Sequence, residues 1–221
     1  MQKKICFLII STLMTCGLLA FIEHGIDINY VIKTLAKVFF FLLNIWIYIL
    51  IFRDFHWKNV ISTQHMNSRK WIRLGLLGVG SAGIVLIAYI ICEPFIDVTA
   101  IKEDLINRLG ITGDLFIYVG LYIAFGNSFL EEYFFRGFLF FKLPRKWGYI
   151  YSPLLFASYH IPMIMLWFSP VLIFLCFVGL LVIGFIFQWV NEKQRTIWSS
   201  WVIHICADVM IIAIGFSIFY G

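Results

Sequence analysis

The sequence predicts an all-α, polytopic membrane protein, and three observations carry that prediction. About 62% of the 221 residues are hydrophobic, only 13% are charged, and the mean hydropathy is +0.94. A soluble domain runs nearer half apolar and a quarter charged, so this chain cannot build a water-facing exterior. Apolar runs long enough to cross a bilayer recur along the whole length. Basic residues fall in alternate loops between those runs. The scarcity of charge excludes a nucleic-acid partner, although Lys and Arg outnumber Asp and Glu by 17 to 12.

Seven spans are expected, at about 5–22, 34–52, 74–92, 115–141, 149–168, 170–190 and 197–220. Lys3 and Lys4 ahead of the first run resemble a signal-peptide start. The run is long for a signal core and no A-x-A site follows it, so it is read as a span. One set of alternating segments holds twelve basic residues: Lys3, Lys4, Arg53, Lys58, Arg69, Lys70, Arg73, Lys142, Arg145, Lys146, Lys193 and Arg195. The other set holds four, Lys33, Lys37, Lys102 and Arg108. This asymmetry predicts a cytoplasmic amino terminus and an external carboxyl terminus. The acidic 93–114 segment is expected to carry a short surface helix. There is no linker or repeat, so residues 1–221 read as a single membrane domain.

The five cysteines (Cys6, Cys16, Cys92, Cys176 and Cys206) form no CxxC pair and read as small buried hydrophobes. Gly78-x-Gly80-x-x-Gly83 lies inside a span with no strand before it, which suggests a small-residue packing face. Asn44 reads as an interhelical hydrogen-bonder. Phe134, Phe135, Phe140 and Phe141 read as core or lipid-facing. Gly126-Asn127-Ser128 has the outline of a membrane serine-protease motif, but Phe129 stands where a small residue is needed. No HExxH occurs, and Asp114 has no second aspartate at matching depth.

Ionisable groups at membrane depth are informative, because each costs about 2.5–3.5 kcal/mol even on lenient insertion scales. The fourth span carries Glu131, Glu132 and Arg136, the fifth His160, and the seventh His204 and Asp208. At the helical rise, Glu131 lies roughly 16 Å from Lys142, His160 roughly 16 Å into its span and His204 roughly 14 Å past Arg195. Three separate helices thus place polar groups in one layer. Glu132 and Arg136 are i,i+4 and predict an ion pair. Glu131, turned about 100° away, is expected to lack a matched cation. Glu131 and His160 are therefore candidates to activate water. His204 and Asp208, also i,i+4, are candidates to stabilise an oxyanion or to complete a metal site.

Glu131-Glu132-x-x-x-Arg136, Phe156-x-x-x-His160 and His204-x-x-x-Asp208 together resemble the CPBP family, the CAAX proteases and bacteriocin-processing enzymes. The resemblance covers about 110–215, read as a catalytic core. It implies an intramembrane endopeptidase in which Glu131 and His160 activate the hydrolytic water while His204 and residue 208 hold the oxyanion. Glu132 and Arg136 would support the fourth helix. Asp208 departs from the Asn of the prenyl-protease branch, and an ionised Asp cannot donate a hydrogen bond. An oxyanion role would therefore require Asp208 to be protonated; otherwise it orients His204 or binds a metal. No cofactor is favoured, although zinc could be held by Glu131, His160, His204 and Asp208. The compact frame suggests a bacterial plasma membrane and a peptide or membrane-protein substrate, as in bacteriocin maturation or self-immunity. The site is expected to open towards the cytoplasmic half of the bilayer, with Pro153 and Pro162 loosening the helix of His160. A non-proteolytic immunity or scaffold protein and a small proton-coupled transporter remain as alternatives.

Overall fold

The computed structural model describes residues 2–64 and 66–220, and every long element among them is helical. The helices are α1 (Gln2–Gly25), α2 (Tyr30–Phe52), the short α3 (Trp57–Val60), α4 (Ser68–Cys92) and α5 (Val98–Asn107). A long fourth helix spans Gly113–Phe140 and is composite. It begins as α6 (Gly113–Leu121), widens to a π-helix over Tyr122–Asn127, returns as α7 (Ser128–Glu131) and widens again over Glu132–Phe140. Helices α8 (Arg145–Ile164), α9 (Pro170–Gln194) and α10 (Trp198–Tyr220) complete the chain.

The boundaries follow local chemistry. Asn29, Asn67 and Asp97 cap α2, α4 and α5, each accepting a backbone N–H three residues on. Helices α2 and α9 stop at Arg53 and Arg195, which turn left-handed at φ 54° and 59° and return a backbone N–H to the last turn. Pro170 occupies the first turn of α9, where its missing N–H costs nothing.

Among the described residues six helices are long and apolar enough to cross a membrane, and the chain is an integral, multi-pass membrane protein. The expected span at 149–168 is the exception. It forms α8, but its composition falls short of the other six. Its polar side rests on protein, because α8 packs against α1, α9 and the 132–140 segment, while Trp147, Ile150 and Leu154 on its other side are exposed. Ser152, Pro153, Phe156 and Tyr159 are accordingly buried. The helix runs unbroken through Pro153 and Pro162, contrary to the expectation of a loosened segment.

The main core lies between α1, α2, α8 and the second π segment. Phe41 stacks flat on Phe134 at 4.0 Å, and Phe135, Phe138 and Phe156 close around them. The paired phenylalanines are therefore largely core, with Phe134, Phe135 and Phe140 buried. Asn44 bridges helices as expected, donating to Thr15 Oγ1 at 2.8 Å and accepting from Ser11. The 93–114 segment carries the expected surface helix, α5.

Helix α4 leans on α10. Ser81 Oγ donates to Ile203 O at 3.1 Å, and a Cβ on Gly78 would fall 2.6 Å from Cys206 Sγ. Gly80 and Gly83 face open space, so the packing face expected of the glycine pattern reduces to Gly78. The outer side of α4 is bare, with Leu76 68% and Ile84 70% exposed, as lipid contact requires. Of the five free cysteines only Cys16 is buried, and Cys6 is exposed on an apolar face. Small apolar side chains are tolerated in lipid as well as in a core, so burial did not follow from their chemistry.

Candidate active site

The three polar helices meet as the depth argument expects, and their six ionisable side chains fall into two linked groups. The first centres on Glu132, which is fully buried. Its Oε1 accepts from Arg136 Nη1 at 2.9 Å and from His204 Nδ1 at 3.0 Å, while Oε2 accepts from Ser200 Oγ. Ser200 is held in turn by Asn191, through Asn191 Nδ2 to Ser200 Oγ at 2.6 Å and Ser200 N to Asn191 Oδ1 at 3.0 Å. Arg136 has no exposed surface, and its guanidinium lies between the rings of Phe156, at 3.9 Å, and Phe187, at 4.9 Å. A buried ion pair of this kind is costly to break, because the surviving charge is left without solvent or partner.

The second group centres on Glu131, 1% exposed. Asn127 Nδ2 donates to Oε1 at 2.9 Å. Lys37 Nζ lies 3.6 Å from the same oxygen and donates to Asn127 Oδ1 at 2.7 Å. The lysine therefore sets the amide, and the amide sets the carboxylate. Oε2 is left free of hydrogen bonds and lies 3.6 Å from His160 Nε2. His160 Nδ1 is 2.7 Å from Phe156 O, which can only accept, so Nδ1 carries a proton and Nε2 faces the carboxylate. Asp208 Oδ2, likewise without a hydrogen bond, lies 3.7 Å from His204 Nε2.

Both groups border one cavity of about 310 Å³, whose lining includes Glu131, His160, His204 and Asp208. Its apolar walls come from Leu19, Ile123 and Met163. It runs towards Glu23, Lys33 and Arg108, at the end of the molecule away from the basic loops. The expectation of an opening on the side of the basic loops is therefore incorrect. It rested on residue counts along single helices, which give depth but not which neighbouring elements leave room.

Two further expectations change. Glu131 has a nearby cation after all, because Lys37 lies within α2 rather than in a loop. The partner orienting His204 is Glu132 rather than Asp208, which stays beyond hydrogen-bond distance. Lys37, Asn127, Ser200 and Asn191 were missed as site residues. Asn127 carried a signal, since it is i−4 from Glu131; Lys37 carried one as a cation inside an apolar run. Ser200 and Asn191 carried none, since small polar residues near helix ends are ordinary. As for zinc, the described donors do not converge: no three of His, Cys, Asp and Glu among the described residues are grouped to hold a metal ion.

Fold and site together define a multi-pass membrane protein with a carboxylate–imidazole centre enclosed by its helices. Residues 113–210 match the family model described as type II CAAX prenyl endopeptidase Rce1-like. The matched segment contains Glu131, Glu132, Arg136, His160, His204 and Asp208, whereas Lys37 lies outside it. No curated protein and no solved structure gives a significant match. The family so described is one of intramembrane endopeptidases of the CAAX type.

Proposed function

We propose that the chain is an intramembrane endopeptidase that cuts membrane-associated peptides or proteins by direct attack of water. The observation that supports this best is the facing pair of acceptors, Glu131 Oε2 and His160 Nε2, 3.6 Å apart on the cavity wall. Two acceptors so placed suit a water molecule that gives its proton to one as its oxygen attacks the substrate carbonyl carbon. The C=O pair moves onto oxygen, and His204 receives that charge across the cavity. To donate through Nε2 while Nδ1 donates to Glu132, His204 must be an imidazolium. Collapse re-forms the C=O, breaks the C–N bond and passes the proton to the departing amine. No covalent enzyme intermediate forms. Asp208, 3.7 Å from His204 Nε2, adds a nearby negative charge that favours the imidazolium without fixing the ring. Glu132 and Arg136 are positioning residues. The compact, short-looped frame supports a bacterial plasma membrane as its location and a bacterial peptide or membrane protein as its substrate.

The test is cleavage of a panel of membrane-associated peptides in liposomes by wild type, Glu131→Gln and His160→Ala, each with and without a strong chelator. The proposal expects cleavage by wild type and none by either variant. Cleavage retained in both variants overturns the assignment of Glu131 and His160. Activity lost to the chelator and restored by zinc overturns the direct-water mechanism in favour of a metal-bound one. Full biological activity of both variants in cells would instead favour a non-proteolytic immunity or scaffold role.

A further inference from the structure

The cavity extends to a charged rim at Glu23, Lys33 and Arg108, taken as its mouth, and the chain's charges say which side of the membrane that rim faces. Around the mouth the ends of α1 and α2 and the helix α5 are tied together. Arg108 donates to Glu23 at 2.8 Å and, through Nε and Nη2, to both oxygens of Asp104 at 2.7 and 2.8 Å. Lys33 Nζ reaches Glu23 Oε1 at 3.0 Å, and Trp167 Nε1 reaches Asp104 at 2.7 Å. Lys102 donates to Ile218 O and Phe219 O, which places the end of α10 on the same side. At the opposite end, Lys4 and Lys142 meet at Asp54, and Arg145 pairs with Glu192.

With Lys37 a turn deeper in α2 and held at Asn127 and Glu131, the mouth end keeps Lys33, in the first turn of α2, Lys102 and Arg108, against twelve basic residues at the other end. All three at the mouth are engaged in the contacts just described. Basic loops stay in the cytoplasm. We infer that the site takes its substrate from the non-cytoplasmic side: the bond to be cut lies in a peptide, or in a segment of a membrane protein, already exported to the outer face. The cavity's apolar walls suit a peptide of apolar side chains entering between α2 and α5 towards Glu131. This inference deepens the endopeptidase reading and rests on it for the cutting step, whereas the side of access stands apart from activity.

The experiment separates the two. In a variant with all five native cysteines replaced, single cysteines are placed at the mouth (Asp27→Cys, with His24→Cys as a second choice), in a basic loop (Lys58→Cys) and on the cavity wall (Ala20→Cys). Intact cells are treated with a membrane-impermeant maleimide for the loop sites and a small charged methanethiosulfonate for the wall. The mouth and wall cysteines are expected to react at least tenfold faster in intact cells than Lys58→Cys, which reacts fully only after lysis. Reaction of Lys58→Cys in intact cells with protection at residues 24 and 27, or wall labelling only from the cytoplasmic side, overturns the inference. Peptide is then added to right-side-out and inverted vesicles. Cutting only in right-side-out vesicles is expected, and cutting only in inverted ones overturns the inference. If labelling follows expectation and neither preparation cuts any peptide, the endopeptidase reading fails while the side of access stands.

Discussion

Glu131 and Glu132 are neighbours in sequence at the same depth, yet their surroundings differ in kind. Both oxygens of Glu132 are saturated, by Arg136, His204 and Ser200, and none of its contacts reaches the cavity lining except through His204. Glu131 has one oxygen anchored by Asn127 and Lys37 and the other turned, without a hydrogen bond, towards His160 and the cavity. Successive side chains on a helix diverge by about 100°, so the adjacent carboxylates point into different neighbourhoods; the π segments flanking α7 are of a kind that recurs at functional sites. Glu132 ties helices together, whereas Glu131 keeps one oxygen open to the cavity, as its proposed role in activating water requires.

The largest expected effect lies on the open side. His160→Ala should lower kcat about 10²–10⁴-fold, the range for a positioned general base, with little change in thermal unfolding. A fall in unfolding temperature as large as that of a core variant would remove the contrast between the two carboxylates. On the closed side, Arg136→Met should cost about 3–5 kcal/mol of stability by stranding Glu132, measured by denaturant or thermal unfolding in detergent. Stability within error of wild type would mean that the ion pair does not organise the helix.

Lys37 sharpens the comparison, because it lies on a helix outside the family match. Lys37→Met should lower kcat about 10–100-fold with KM little changed, because Glu131 loses the hold on its anchored oxygen. Lys37→Arg should retain most of the activity. An equal loss in both variants would show that packing, not charge, is what this position supplies.

The smallest effect concerns the mouth. The hydrogen bonds from Arg108 hold the Asp104 carboxyl below the usual carboxylate range. Stability from a depressed carboxyl is present above its unfolded pKa and is lost as pH falls through the lower folded value. Tethering of α5 should therefore weaken only under acid conditions, by about 1 kcal/mol for a pair this close to the surface. Asp104→Asn should produce the same loosening at neutral pH, read as faster amide exchange over 98–107. Unchanged exchange in that variant would show that α5 is held by its apolar contacts instead.

Much of this architecture is legible without coordinates, for a physical reason. Lipid enforces apolar runs and makes every intramembrane charge conspicuous, so Glu131, Glu132, Arg136, His160, His204 and Asp208 stand out, and the Glu132–Arg136 pair follows from helical spacing. What was not legible depends on neighbours. Helix α8 looked like any other span, although one side of it packs on α1, α9 and the 132–140 segment. Lys37 was counted with a loop because snorkelling lysines are ordinary near helix ends. Ser200 and Asn191 acquire meaning only beside Glu132, and the direction of the cavity depends on how α1, α2 and α5 are arranged around it.

The measurement that tests the central contrast most directly is kcat and unfolding temperature, taken side by side, for Glu131→Gln and Glu132→Gln in the same liposomes. The account predicts that Glu131→Gln folds like wild type and does not cut. It predicts that Glu132→Gln is clearly destabilised, because Arg136 loses its counter-charge. Glu131→Gln cutting at the wild-type rate would contradict it.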